Sequence, residues 1–191
     1  MGTGYALLVS VSDYRDRGMA DLMAGTADLC MMRAAVTEGL HFRKDNVRVL
    51  GEKGAVRLDA FAKALKEFAA LLCGEDTFLL YVSGHGTGNT LCFSDEDVSV
   101  SSVVEVLAGM KARGRILILD SCFSGSATVP TKRQLHLDDS LSNFAGRGVA
   151  VMAAAASDEE AWLDESGRFS CYTGAVCAAM LSRKEIGRAP V

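Results

Sequence analysis

Two residues in this chain have the types and settings for covalent chemistry. His85 stands between two glycines in Ser83-Gly84-His85-Gly86, directly after the apolar run TFLLYV at 77–82. Cys122 follows thirty-seven positions later, after Asp120-Ser121 and before Phe123-Ser124-Gly125, at the end of the apolar run RILIL at 115–119. A thiolate is a strong nucleophile, and a nearby imidazole can take its proton or deliver one to a leaving group. A lone histidine after a strand is ordinarily a loop residue, and a lone cysteine ordinarily packs in the core. The joint placement, each at the end of an apolar run with glycine close by, singles out this pair. Gly86 lets the chain turn tightly beside the imidazole, and its N–H with that of Cys122 makes a candidate oxyanion hole.

Such a pair works only if the two runs are neighbouring parallel strands, whose ends would then lie roughly 5 Å apart. The pattern along the chain supplies the elements. Strands are expected at 5–11 (YALLVSV), 47–50 (VRVL), 77–82, 115–119 and 148–154 (GVAVMAA), with a short hairpin strand at 90–93. Helices are expected from Thr26, a candidate N-cap, to Gly39, a candidate stop; from Leu58 to Cys73, with apolar residues at 58, 61, 65, 68, 69 and 72; and from Ser101 to Lys111. A last helix is expected from Cys171 to Leu181, with Ser170 as its cap. Strands alternating with helices imply βαβ units, and almost continuously apolar strands imply a parallel sheet covered on both faces. The helix between His85 and Cys122 is what a right-handed crossover needs. In open α/β sheets of this kind, ligand sites lie at the carboxyl ends of the strands. The longest stretch without a regular pattern is 123–147, and a loop of that length in a compact domain is usually functional or flexible.

Composition narrows the function. The 191 residues, 49% hydrophobic, suit one domain with a substantial core. Twenty Lys and Arg against 24 Asp and Glu give a net charge of −4 and no basic stripe, which argues against nucleic-acid binding. No apolar run approaches the ~18 residues of a membrane helix, and the N-terminal residues carry neither the basic region nor the cleavage site of a signal peptide. The six cysteines, at 30, 73, 92, 122, 171 and 177, form no CxxC pair, so reduced and mostly buried thiols in a cytoplasmic protein are expected, without structural zinc. Ser83 and Ser124 do not form a G-x-S-x-G elbow, which weakens a serine-hydrolase reading.

The block Phe78-Leu-Leu-Tyr-Val-Ser-Gly-His-Gly86 together with Ile116-Leu-Ile-Leu-Asp-Ser-Cys-Phe-Ser-Gly125 resembles the caspase/metacaspase superfamily of cysteine peptidases. The resemblance extends over nearly the whole chain, through Tyr5–Tyr14, Gly25-Thr-Ala-Asp28 and 148–157. It implies a three-layer α/β fold of the caspase–haemoglobinase type, with a mostly parallel central sheet between helices. It implies one peptidase domain over 1–191, made of a large-subunit-like part (1–127) with the dyad, a flexible loop (128–147) and a short small-subunit-like part (148–191). The last part is shorter than is usual in the family, as in a fragment, a processed product or a subunit completed by a partner.

By that resemblance His85 is the general base and acid, Cys122 the nucleophile, and the Gly86 N–H an oxyanion donor. Caspases place an arginine just before the Gly-Thr segment to bind a P1 aspartate, where this chain has Met23 and Ala24. The Asp-Ser-Cys motif is instead metacaspase-like. In metacaspases, residues matching Asp28, Ser83 and Asp120 line a pocket for P1 Arg or Lys. Ser157 and Trp162 fall where the family contacts substrate, and Lys132-Arg133 is a candidate self-cleavage site. No cofactor is needed for thiol–imidazole chemistry. Asp95-Glu96-Asp97 and Asp138-Asp139 resemble the calcium-binding acids of some metacaspases, although solvated loop charge is the commoner meaning of such runs. His41 and His136 read as surface residues.

The expected activity is therefore a cysteine endopeptidase acting on a protein or peptide substrate, with basic P1. The alternatives are a catalytically silent interaction scaffold on the same fold, or a gated subunit that needs a regulatory partner.

Overall fold

A computed structural model describes residues 2–87, 89–121, 148–154 and 169–186, with side chains to Ser182. Among the described residues five strands form the central sheet: β1 (Gly4–Ser10), β2 (Val47–Leu50), β3 (Thr77–Ser83), β7 (Gly114–Asp120) and β8 (Ala150–Ala153), in the order β2-β1-β3-β7-β8. All four pairings are parallel. Three short strands, β4 (Gly86–Thr87), β5 (Thr90–Cys92) and β6 (Asp97–Ser99), make a separate antiparallel sheet beyond the end of β3.

Helices cover both faces, as the continuous apolar strands require. Alternation along the strands sorts the side chains. Leu7, Val9, Leu80, Val82, Leu117 and Leu119 share one core with α2 (Leu58–Leu71) and α3 (Val100–Gly109). Ala6, Leu8, Leu79, Tyr81 and Ile118 share the other with α1 (Gly25–Ala34) and α4 (Cys171–Ile186). The stripe of α2 buries Phe61, Leu65 and Phe68, each worth roughly 1.5–3 kcal/mol relative to exposure. The fold is thus the three-layer α/β arrangement expected.

Several local expectations are corrected. Helix α1 begins at Gly25, and Thr26 lies inside its first turn rather than capping it. The helix continues into a wide turn over Ala35–Gly39, with Leu40 N–H bonded to the Ala35 carbonyl at 3.2 Å. Gly39 is not a left-handed stop; His41 takes the positive φ, at 59°. A Cβ on Gly39 would stand 2.5 Å from the Met180 carbonyl oxygen, so this glycine lets α4 approach. Helix α2 ends at Leu71, and α3 starts one residue early, at Val100, where the Ser99 hydroxyl accepts from the Ser102 N–H at 3.0 Å. Strand β8 is shorter than 148–154, and α4 runs past Leu181. Ser170 caps α4 as expected, its hydroxyl accepting from the Thr173 N–H at 3.4 Å. Of the five cysteines described, all free thiols, Cys92 and Cys177 are buried but Cys30, Cys73 and Cys171 are exposed. Cys30 sits on the outer face of α1, Cys73 beyond the end of α2, and Cys171 at the start of α4, so apolar neighbours in sequence did not carry these thiols inside.

Candidate active site

The carboxyl edge of the sheet is where the chemistry-bearing residues gather. Strands β3 and β7 are adjacent and in register, with Ser83 opposite Asp120. Beyond them, the Gly84 N–H donates to the Asp120 carbonyl at 3.2 Å, which holds the two chain ends together one residue before His85. Gly84 has φ +156°, and a Cβ there would lie 2.6 Å from the Tyr14 hydroxyl, so only glycine lets that phenol approach.

His85 is held at both its backbone and its ring. Its N–H donates to the Tyr14 hydroxyl at 2.8 Å, and that hydroxyl donates in turn to the Cys92 carbonyl at 3.1 Å. The imidazole lies against the Tyr14 ring, centroids 4.7 Å apart. Nε2 is 2.7 Å from the Ala20 carbonyl oxygen. A carbonyl only accepts, so Nε2 carries the proton and the lone pair of the neutral ring is on Nδ1. Burial pushes the Tyr14 phenol well above its ordinary pKa, so it remains a neutral hydrogen-bonding group.

Gly86 pairs with Leu91 across β4 and β5. The Cys92 N–H donates to the His85 carbonyl at 2.9 Å, which makes Gly86–Leu91 a non-hydrogen-bonded pair. The Gly86 N–H therefore points away from β5, as an oxyanion donor requires.

A second set of polar residues lies on the α1/α4 side of the same edge. Ser10, Ser83 and Asp120 are register partners on three adjacent strands, with the same facing as Ala6, Tyr81 and Ile118. All three are buried, as is Asp28 in the first turn of α1. Asp28 Oδ1 accepts from the Ser170 N–H at 3.1 Å. Asp120 Oδ2 accepts from the Thr173 hydroxyl at 2.5 Å, and the Tyr81 hydroxyl lies 2.7 Å from that Thr173 oxygen. The first turn of α4 is thereby tied to both carboxylates. Burial first, and then the charges of Asp28 and Asp120, push the Cys177 thiol up to about 12. Tyr81 is likewise raised well above its ordinary value by burial and then by Asp120, with Asp28 adding. Among the described residues the buried Ser10 Oγ has no hydrogen-bond partner.

The structure thus brings Asp28, Ser83 and Asp120 to the edge that also holds His85 and Gly86. Cys122, Ser157, Trp162, Lys132, Arg133, His136, Asp138 and Asp139 lie outside the described residues. His41 is exposed, as expected. In the acidic triplet, Asp95 accepts from the Leu58 N–H at 2.8 Å at the start of α2, and Asp97 pairs with Arg17 at 2.5 Å. Among the described residues no three His, Cys, Asp or Glu side chains converge to hold a metal ion. Three contributors were missed in the sequence. Tyr14 was legible only as an aromatic in a polar loop and Thr173 only as a residue near a helix start. Ala20 acts through a carbonyl that every residue possesses.

A parallel sheet between two helical layers, with a glycine-flanked histidine at its carboxyl edge, defines a caspase-type fold. The family model described as "Caspase domain" matches residues 3–188, and the chain belongs to that family of cysteine peptidases. Among solved structures, the crystal structure of caspase-1 from Spodoptera frugiperda is similar, with a TM-score of 0.66 and 14% sequence identity. That likeness covers 93% of this chain and 68% of the other. No curated protein matches the chain. Among the described residues, no helix is long and apolar enough to cross a membrane.

Proposed function

We propose that this protein is a cysteine endopeptidase that uses Cys122 and His85 and cuts after arginine or lysine. The observation that carries the proposal is the junction of β3 and β7. His85 follows β3 with its Nε2 proton given to Ala20, and Cys122 comes two residues after Asp120 at the end of the adjacent strand. Membership of a cysteine-peptidase family supports the same assignment.

In this mechanism Nδ1 of His85 takes the proton of the Cys122 thiol, and the resulting thiolate attacks the scissile carbonyl carbon. The oxyanion forms beside the N–H groups of Gly86 and Cys122. The proton held at Nδ1 of His85 passes to the leaving amine as the C–N bond breaks, leaving a thioester on Cys122. His85 then takes a proton from water. The hydroxide attacks the thioester, the carboxylic acid leaves, and the thiolate returns. The Ala20 carbonyl accepts from Nε2 throughout, so the ring keeps its orientation while Nδ1 gains and loses its proton.

Basic P1 specificity rests on charge. Asp28 and Asp120 place two buried carboxylates near one edge. A guanidinium or ammonium relieves their repulsion through charge-assisted hydrogen bonds, whereas a P1 aspartate adds a third negative charge. The experiment is digestion of a P1-diverse peptide library by wild type and by Cys122→Ala. Cleavage after Arg and Lys by the wild type alone is the expected result. Equal cleavage by both, or none by either, would overturn the assignment.

A further inference from the structure

We propose that Tyr14 and Asp21 are positioning residues for His85, locking backbone and ring through one closed circuit; this rests on the peptidase assignment above. Tyr14 is fully buried, yet it lies in the loop after β1, seventy-one residues from His85. Its hydroxyl serves in both directions: it accepts from the His85 N–H and donates to the Cys92 carbonyl. Its ring forms one wall of the imidazole site. The main chain of Tyr14 is itself held, because its N–H donates to Asp21 Oδ1 at 2.8 Å. That bond closes a loop between residues seven apart in sequence, and the residue just before Asp21 is Ala20, whose carbonyl meets Nε2. On the other side of Asp21, the Leu22 N–H donates to the Ser12 carbonyl at 3.0 Å.

The circuit runs from the His85 backbone to the Tyr14 side chain, from the Tyr14 backbone to the Asp21 side chain, and from the adjoining Ala20 carbonyl back to the His85 ring. Each link fixes the next. The Ala20 carbonyl is a peptide group with no side chain of its own to aim it, so Asp21 supplies the aim. Proton transfer falls off steeply when donor and acceptor move by even an ångström, so loosening this circuit slows turnover without altering how substrate binds.

The test uses Tyr14→Phe, Asp21→Ala and Asp21→Asn in the full chain. Steady-state kinetics on one cleaved peptide are measured beside hydrogen exchange of the His85 amide. Tyr14→Phe and Asp21→Ala are expected to lower kcat about tenfold or more, with KM within about twofold of wild type. Asp21→Asn keeps an acceptor oxygen and is expected to restore kcat to within about threefold of wild type. The His85 amide is expected to exchange faster in Tyr14→Phe and in Asp21→Ala. Should Tyr14→Phe fail to fold, the exposed Asp21 pair decides. A kcat within twofold of wild type in folded Tyr14→Phe and Asp21→Ala overturns the proposal, as does an Asp21→Asn enzyme no better than Asp21→Ala. A wild type that cleaves no peptide and takes no chloromethylketone label at Cys122 overturns the peptidase assignment instead. The amide exchange of Asp21→Ala then still decides the positioning, faster exchange supporting it and unchanged exchange overturning it.

Discussion

The Thr173 hydroxyl donates to the Asp120 carboxylate across 2.5 Å, joining the first turn of α4 to the last residue of β7. Since its single proton goes to the carboxylate, Tyr81 must donate to the same Thr173 oxygen, 2.7 Å away. All three residues are buried. Fifty-three residues separate Thr173 from Asp120 in sequence, so this contact helps fix the small C-terminal part of the domain against the strand that leads to Cys122.

Thr173→Val, close in shape, leaves the Asp120 oxygen and the Tyr81 hydroxyl without that partner. A buried polar group left unsatisfied costs about 1–3 kcal/mol, and more when it is charged. Urea unfolding is expected to show a loss of at least about 2 kcal/mol, with Thr173→Ser losing much less. Equal midpoints for Thr173→Val and wild type would contradict the buried bridge.

Gly84→Ala places a Cβ 2.6 Å from the Tyr14 hydroxyl, at a backbone φ of +156°. The phenol cannot retreat without giving up the His85 N–H or the Cys92 carbonyl. Backbone strain of this kind costs about 1–3 kcal/mol. Both a lower Tm and a lower kcat are expected, and an alanine variant matching wild type in both would show that the phenol does not sit where described.

Asp76 ties three elements together. Its carboxylate accepts from the N–H groups of Thr3 and Cys73 at 2.9 and 2.8 Å, and its carbonyl accepts from those of Arg113 and Gly114. The backbone hydrogen bonds from Thr3 and then Cys73 hold its carboxyl below the ordinary carboxylate range. A carboxylate with a depressed pKa in the folded state binds fewer protons there than when unfolded. Its contribution is therefore present above the ordinary carboxylate pKa and fades as pH falls through the lowered value. The stability gap between wild type and Asp76→Ala, followed by urea unfolding from pH 7 downwards, is expected to shrink in that acidic window. A gap independent of pH would mean that the carboxylate charge contributes nothing.

Asp120→Ala removes one of the two acids assigned to P1 recognition. With matched peptides carrying Arg, Lys, Asp, Asn or Leu at P1, wild-type kcat/KM is expected to be highest for Arg and Lys. In Asp120→Ala the preference for Arg over Leu should fall by at least about tenfold, the loss of one charge-assisted hydrogen bond. An Asp120→Ala enzyme that still strongly favours Arg, or a wild type fast after Asp and inert toward Arg, would defeat the specificity assignment.

The central strands were legible because a sheet covered on both faces needs unbroken apolar runs, and LLV, FLLYV and ILIL each stand between polar or glycine-bearing segments. The order β2-β1-β3-β7-β8 was not: sequence told only that β3 and β7 would have to be neighbours for His85 and Cys122 to meet, and they are. Strands β4 and β6 escaped notice because two or three residues carry no period. Thr26 misled because a capping residue type also serves inside a first turn. The acids were found by resemblance and the histidine by its glycines. The clamp around that histidine was hidden, because a backbone carbonyl at Ala20 and a phenol seventy-one residues away leave no local pattern.

The catalytic pair is tested most directly by turnover of one P1-Arg peptide by wild type, Cys122→Ala and His85→Ala, each shown by circular dichroism to be folded. General acid–base assistance alone is typically worth ~10²–10⁴-fold, and removing the nucleophile abolishes the thioester route altogether. Rapid cleavage by wild type and at least a hundredfold loss in both variants is the predicted result. Turnover within threefold of wild type in either folded variant would contradict it.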